Sequence, residues 1–187
     1  MKTFFTADTH FSHRNIIRYC NRPFKDEKEM DETLITNWNS VVRSEDVVYH
    51  LGDVGFTNED KLYQILKRLN GKIHLIYGNH DKIIRKSNLL QSRFESTNEL
   101  KKVYIQDMNH PKGRHEITLC HYAMRVWDKS HHGSFHLFGH SHGSLSDDPN
   151  SLSLDVGVDN WNFKPVSFNE IIEKMKQKTF ISINYHE

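Results

Sequence analysis

The sequence predicts a layered α/β domain with a mixed sheet system, and two observations favour this class. Short apolar runs rich in β-branched and aromatic residues, the composition of buried strands, recur along the chain. Patterns with apolar residues three and four positions apart, typical of amphipathic helices, alternate with several of these runs. The 187 residues suffice for one domain with a sizeable core, and no linker-like tract divides them. We therefore expect a single domain over residues 1–187.

Five of the apolar runs are the most informative predicted strands, because each ends at a polar block. The runs are residues 2–7, 46–51, 72–77, 116–120 and 135–138. The blocks that follow them are Asp8-Thr9-His10, Gly52-Asp53, Gly78-Asn79-His80-Asp81, His121 and Gly139-His140-Ser141-His142. If these strands lie side by side, their ends bring oxygen and imidazole side chains to one edge of a sheet, where open α/β structures hold their sites.

Helices are predicted between and after these strands. Apolar residues share one helical face in residues 26–40 and again in residues 58–69, where Thr57 or Asn58 is a suitable N-cap. A capping box at Ser167-Phe168-Asn169-Glu170 predicts the start of a third helix.

The other predicted strands complete the layered arrangement. Residues 100–106 are expected to pair antiparallel with residues 116–120 through a turn at Pro111-Lys112-Gly113. A final strand is expected near residues 179–183. Residues 82–114 are the insertion large enough to form a partial lid over an otherwise open site.

Composition narrows the class of protein. The chain has 25 basic and 24 acidic residues and a formal net charge of +1, so it lacks the basic excess of an obligate nucleic-acid binder, although a short nucleic acid remains a possible ligand. Its two cysteines offer neither metal spacing nor a disulfide framework, which favours a reducing cytoplasm. Because no run is long and apolar enough for a signal peptide or a membrane span, we expect no membrane contact. No feature of the sequence indicates an obligate protein partner.

The polar blocks contain more candidate ligands than one metal ion takes from a protein, so the sequence predicts two adjacent divalent ions. The candidate ligands are Asp8, His10, Asp53, Asn79, His121, His140 and His142. Asp53 is the best bridging group, because a carboxylate has two oxygens and candidate ligands precede and follow it. Imidazole, carboxylate and amide ligands without a thiolate suit manganese, iron, zinc or nickel.

The ordered blocks resemble those of the calcineurin-like metallophosphoesterase superfamily: Asp-x-His, Gly-Asp, Gly-Asn-His-Asp, a lone His and Gly-His-x-His. This resemblance implies a metallo-dependent phosphatase-like fold, a two-sheet β-sandwich flanked by helices, that hydrolyses phosphomonoesters or phosphodiesters. The implied ligands of the first ion are Asp8, His10, Asp53 and His142. Those of the second are Asp53, Asn79, His121 and His140. The sequence near Asp8 and residues 155–161 also resemble small bacterial and phage phosphoesterases.

The resemblance further implies how the reaction proceeds. By this resemblance, the nucleophile would be a metal-bridging hydroxide, His80 would assist departure of the leaving oxygen, and Asp81 would orient the His80 ring. One departure from the family is that Val54-Gly55-Phe56 follows Asp53, where members often carry an acidic residue.

Residues near the blocks are candidates for substrate contacts. His13 and Asn15 are the strongest of these, and Arg14 and Arg125 are weaker. Arg14 or Arg22 is suited to a phosphate oxygen. The aromatic residues considered for stacking on a base are Phe11, Tyr122, Trp127 and Trp161. Asp155 and Asp159 are expected either to brace the site or to serve in a surface turn.

We therefore predict a two-metal phosphodiesterase that acts on a nucleotide or a nucleic-acid-derived phosphoester. One alternative is a catalytically weak, metal-binding scaffold of the same fold, which the presence of His80 disfavours. Others are a phosphomonoesterase or a nucleotide pyrophosphatase. A dinuclear hydrolase of amides or lactams is disfavoured because the sequence lacks the His-x-His-x-Asp-His run of the metallo-β-lactamase class.

Overall fold

A computed structural model describes residues 1–182, which form two β-sheets and six α-helices. The first sheet has the strand order β4-β3-β2-β1-β9. Its strands are β1 Thr3–Thr6, β2 Val47–His50, β3 Lys72–Ile76, β4 Ser96–Asn98 and β9 Val166–Ser167. Strands β1 to β4 are parallel, whereas β9 is antiparallel to β1. The parallel part brings the carboxyl ends of β1, β2 and β3 to the same edge.

The second sheet has the strand order β5-β6-β7-β8. Its strands are β5 Leu100–Gln106, β6 Arg114–Cys120, β7 Phe135–Phe138 and β8 Ser153–Asp155. Strands β5 and β6 are antiparallel, which confirms the predicted hairpin, and β6, β7 and β8 are parallel. Most of the segment 82–114 does not form the predicted partial lid, because it includes the edge strands β4 and β5, which pair with the two sheets. Its first two residues, Lys82 and Ile83, line a groove beside His80.

The helices are α1 Arg14–Tyr19, α2 Glu27–Val41, α3 Glu59–Lys67, α4 Lys82–Lys86, α5 Asn88–Gln91 and α6 Phe168–Lys176. The three predicted helices are confirmed as α2, α3 and α6. Asn58 caps α3, because its side chain accepts a hydrogen bond from the backbone N–H of Lys61. Ser167 and Glu170 form the predicted capping box of α6. None of the helices within residues 1–182 has the length and apolar character needed to cross a bilayer.

The strand predicted near residues 179–183 is not formed over its described part. Residues 179–182 have no regular secondary structure, and Ile183 lies outside the described residues. The backbone N–H of Thr179 instead donates to the carbonyl of Pro149 at 2.8 Å, so this part of the chain pairs with a loop.

Alternating side chains of the first sheet contribute to two apolar cores, one on each face. Phe4 and Val48 face the side covered by α2 and α3, where they join Met30, Leu34 and Leu62 in one core. The other face belongs to a second core, whose members include Phe5, Leu51, Ile76, Ile117, Leu119 and Leu137. The second core therefore lies between the two sheets, which confirms a two-sheet sandwich flanked by helices.

Candidate metal centre

The first ligand group lies where β1 and β7 end. Asp8 and His10 follow β1, and His142 follows β7. One ligand atom from each of these side chains lies within 4.8 Å of the other two. Asp8 and His10 are buried, so their polar atoms have little access to solvent.

The second ligand group is built by the loops after β2, β6 and β7. Ligand atoms of Asp53, His121 and His140 also lie within 4.8 Å of one another. Asn79 joins them from the loop after β3, with its Oδ1 3.1 Å from Nε2 of His121. The fold therefore brings together the seven side chains that the sequence offers as candidate ligands.

Asp53 lies between the two groups. Its Oδ2 is 3.6 Å from Nε2 of His10 in the first group and 3.5 Å from Nε2 of His121 in the second. This is the position expected of a carboxylate shared by two ions.

Several of the candidate ligands adopt the left-handed backbone conformation, which non-glycine residues rarely occupy. Asp8, His10, Asp53, His140 and His142 have φ values of 59°, 48°, 57°, 70° and 48°. Such conformations cost of order 1–3 kcal/mol each and are concentrated at functional sites. Here they occur directly after the strand ends, at the residues that form the two groups.

Glycines allow the loops to approach one another closely. A Cβ on Gly139 would lie 2.5 Å from Cβ of Ala7 and 2.7 Å from Oδ2 of Asp8. A Cβ on Gly78 would lie 2.5 Å from the backbone nitrogen of Asp53. These distances are too short for any side chain, so glycine is required where the ligand loops cross.

The electrostatics of the first group indicate that a cation would be stabilising there. Burial raises the pKa of Asp8 to about 7, and burial lowers the pKa of His10 to about 2. Oδ1 of Asp8 and Nε2 of His10 are buried and have no hydrogen-bond partner in the described structure. A buried polar atom without a partner is costly, and a divalent ion would supply the partner for both atoms. The donors of the first group therefore fit a divalent metal ion.

The outer nitrogens of two candidate ligands are fixed by neighbouring acceptors. Nδ1 of His121 donates to the carbonyl of Leu51 at 2.7 Å, and Nδ1 of His142 donates to Oδ2 of Asp159 at 2.8 Å. With Nδ1 protonated, each neutral ring has its lone pair on Nε2, the atom left for a metal ion. Asp159 therefore braces the site, which was one of the two roles considered for it.

Arg22 connects this brace to the β1 loop. Its guanidinium donates to both carboxylate oxygens of Asp159 at 2.8 Å and to the carbonyl of Asp8 at 2.7 Å. The side chain is fully buried. The predicted contact between Arg22 and a phosphate is thus wrong, because the guanidinium is enclosed and already bonded.

Comparison with known proteins agrees with this geometry. The sequence matches the calcineurin-like phosphoesterase superfamily domain over residues 1–158. The chain belongs to this superfamily. It is thereby a metal-dependent phosphoesterase by family, and its two ligand groups are candidate sites for the divalent metals that the family generally binds.

Relatives of this phosphoesterase match it over nearly their whole length. The uncharacterized protein MJ1445 of Methanocaldococcus jannaschii is 36% identical, with 98% of this chain and 97% of the relative covered. The gene 66 protein of Mycobacterium phage L5 is 26% identical, with 91% and 92% covered. The crystal structure of protein AQ665 of Aquifex aeolicus, a protein of unknown function, has a TM-score of 0.66 and 25% identity, with 92% and 98% covered.

His80 lies at the rim of the phosphoesterase site. Its backbone N–H donates to Oδ1 of Asp53 at 2.9 Å, which ties the residue to the carboxylate between the two groups. Its ring is exposed and lies edge-on to the ring of His10, with 5.6 Å between the centroids.

The predicted role of Asp81 in orienting the His80 ring is wrong. The Asp81 carboxylate accepts hydrogen bonds from the backbone N–H groups of Asp53, Val54 and Gly78 at 2.8 to 2.9 Å. Both oxygens are used in this way, and the side chain is buried. Asp81 therefore holds the loop after β2 against the loop after β3.

The residues predicted to contact the substrate lie in different parts of the structure. The His13 ring is half-buried and packs 5.2 Å from the His10 ring, so it adjoins the site. Arg14 and Asn15 are exposed on α1, and Arg14 lies 3.9 Å from Glu27. Arg125 is exposed and lines another groove, whose lining includes none of the candidate ligands. The structure thus brings His13 to the metal centre and does not bring Arg125 there.

Two of the aromatic residues considered for base stacking belong to the core. Phe11 and Trp127 are buried, whereas Trp161 is half-buried and its indole donates to the carbonyl of Asp155. Tyr122 is exposed, and its ring lies 4.8 Å from that of His140. Phe56, which the sequence reasoning missed, is exposed beside His80 and His13.

Proposed function

We propose that this phosphoesterase hydrolyses phosphodiesters of nucleotide or nucleic-acid origin with two divalent ions and with His80 as the proton donor to the leaving oxygen. The observation that carries the proposal is the position of Asp53 Oδ2 between His10 and His121, beside buried ligand atoms that lack partners. Asp8, His10 and His142 would hold one ion, Asn79, His121 and His140 the other, and Asp53 both. Such ions supply an activated water nucleophile near neutral pH and offset negative charge on the phosphoryl oxygens.

His80 is suited to protonate a leaving oxygen. Imidazole is the side chain most often used as a general acid, and a positioned proton donor contributes about 10²- to 10⁴-fold to rate. The hydrogen bond from its backbone to Asp53 fixes its distance from the centre, while its exposed ring can reach an ester oxygen from the solvent side.

The charge of the surroundings favours a diester over a monoester. A diester carries one negative charge, whereas a monoester carries up to two that need neutralising. The groove beside His80 is lined by Gly55, Phe56, Thr57, Asn79, His80, Lys82 and Ile83, so Lys82 is the charged side chain in that lining. Arg22 is bonded to Asp159 and is not accessible. The same groove offers room for the second substituent that a diester possesses.

The experiment compares Mn²⁺-dependent hydrolysis of bis(p-nitrophenyl) phosphate and p-nitrophenyl phosphate. We expect kcat/KM for the diester to exceed that for the monoester at least tenfold. Monoester preference would favour the phosphomonoesterase alternative. Two bound ions with no hydrolysis of any phosphoester, including nucleotide pyrophosphates, would favour the scaffold.

The role of His80 is tested with leaving groups of different quality. Nitrophenolate departs without a proton, but a nucleoside alkoxide does not. His80→Ala should therefore lose much more kcat with a dinucleotide than with bis(p-nitrophenyl) phosphate, while it retains both ions by metal analysis. Equal losses with the two substrates, or loss of metal, would contradict the assignment of His80 as proton donor.

A further inference from the structure

Phe56 is a large apolar side chain held at the surface by its backbone. Its relative exposure is 54%, although Phe11 and Val54 beside it are buried. The backbone N–H of Phe56 donates to the carbonyl of Phe11 at 2.8 Å, and Gly55 forms a β-bridge with Phe11. A single exposed aromatic ring is common on protein surfaces, so its neighbours decide what it can do.

Those neighbours are His13 and His80, two histidines that adjoin the metal centre. The Phe56 ring stacks on the His13 ring, with 4.6 Å between centroids and 28° between planes. It also meets the His80 ring at 74°, with 5.8 Å between centroids. Phe56 is therefore adjacent to His80, the residue to which we assign protonation of the leaving oxygen.

The ring also forms part of the wall of a groove of about 700 Å³. This volume lies within the range of about 300–1,000 Å³ that small-molecule sites occupy. The wall combines the apolar side chains of Phe56 and Ile83 with the hydroxyl of Thr57 and the charged Lys82. A flat ring with hydrogen-bonding groups at its edge matches such a wall better than an aliphatic chain or a strongly charged group does.

We propose that Phe56 is the stacking platform for the nucleobase of the leaving nucleoside, and hence a residue that determines the substrate class. This inference rests on the proposed function, because His80 defines the side on which the leaving group departs. Stacking of a base on an aromatic side chain is tolerant of sequence, since every base has a π face. The site should therefore accept any base, with purines bound more tightly than pyrimidines.

The test measures the contribution of the base to equilibrium binding. Adenosine 5′-monophosphate and ribose 5-phosphate carry the same phosphate group and differ by the base. The dissociation constant of ribose 5-phosphate divided by that of adenosine 5′-monophosphate therefore measures the contribution of stacking. We would measure both constants by titration calorimetry on the manganese-loaded protein. The ratio should be about tenfold or more in the unaltered chain, given the usual strength of stacking on an aromatic side chain.

Variants of Phe56 separate stacking from general apolar contact. Phe56→Leu should bring the ratio close to one, whereas Phe56→Trp should preserve it. Tyr104→Leu, which removes another half-exposed aromatic ring, is the matched control and should leave the ratio unchanged.

The outcomes separate this inference from the proposed function. A ratio that Phe56→Leu leaves unchanged, or a ratio near one in a chain that hydrolyses diesters, would overturn the stacking role of Phe56. A ratio that depends on Phe56 in a chain that hydrolyses no diester would support the stacking site and contradict the proposed function instead.

Discussion

Oδ2 of Asp53 lies 3.6 Å from Nε2 of His10, although the two residues follow different strands. The proximity arises because β1 and β2 are adjacent and parallel, with Thr6 opposite His50. The segments that follow β1 and β2 then continue past the sheet edge, where His10 and Asp53 adopt left-handed conformations that turn their side chains toward each other. One carboxylate oxygen is thereby shared between two groups of candidate ligands.

Asp53→Asn should reduce the bound metal from two ions to one or fewer per chain. The amide keeps an oxygen to accept from the His80 N–H, but it lacks the negative charge that two cations would share. We expect hydrolysis to fall at least 100-fold, with metal content measured by mass spectrometry after gel filtration. Asp147→Asn, at an exposed carboxylate, is the matched control and should retain both ions. Full metal content in Asp53→Asn would refute the shared position.

Asp81→Asn should destabilise the protein even without metal. An amide replaces one acceptor oxygen by an N–H₂ group, which then faces a backbone N–H donor in a buried site. The expected loss of unfolding free energy is about 1–3 kcal/mol, measured by urea denaturation in the presence of a chelator. If Asp81 acted only on the His80 ring, the stability of the metal-free protein would not change.

Arg22→Ala should be among the most destabilising single changes in the chain. It leaves the Asp159 carboxylate, whose side chain is only 9% exposed, without its cation and deprives the Asp8 carbonyl of a donor. Breaking a buried ion pair by removal of one partner costs about 3–5 kcal/mol. The control is Arg68→Ala, which breaks an exposed pair with Glu32 and should cost less than about 1 kcal/mol. Similar losses for both variants in urea unfolding would contradict the bracing role of Arg22.

Gly139→Ala should weaken metal binding because the added methyl group would press on Oδ2 of Asp8. We expect the manganese dissociation constant, measured by calorimetry, to rise more than tenfold. The control is Gly133→Ala, at a positive φ with no atoms within 4 Å of the added Cβ. It should cost about 1–2 kcal/mol of unfolding free energy through backbone strain and leave metal affinity unchanged. Unaltered affinity in Gly139→Ala would show that the crowding at Asp8 is relieved by movement elsewhere.

The sequence could predict the ligand groups because each ligand directly follows a buried run, and buried parallel strands align their ends. It could also predict α2, α3 and α6, whose periodicity and caps are local signals. It could not predict the Arg22–Asp159 pair, because a contact between residues 137 positions apart produces no local pattern in the sequence. The short strands β4, β8 and β9 were missed for a related reason, since two or three residues carry too little pattern.

The error on Asp81 shows how sequence adjacency misleads. Asp81 follows His80 in the chain, yet it immediately precedes α4 and its side chain points toward the β2 loop. Phe56 was missed because exposure depends on which neighbouring elements cover a ring, and an isolated aromatic residue in a loop gives no sign of that.

The most direct test is anomalous diffraction from crystals grown with Mn²⁺. We predict two anomalous peaks, separated by about 3.5 to 4 Å, on either side of Asp53 Oδ2. One peak should be coordinated by Asp8, His10 and His142, and the other by Asn79, His121 and His140. A single peak, or peaks distant from Asp53, would contradict the two-ion centre on which the proposed function depends.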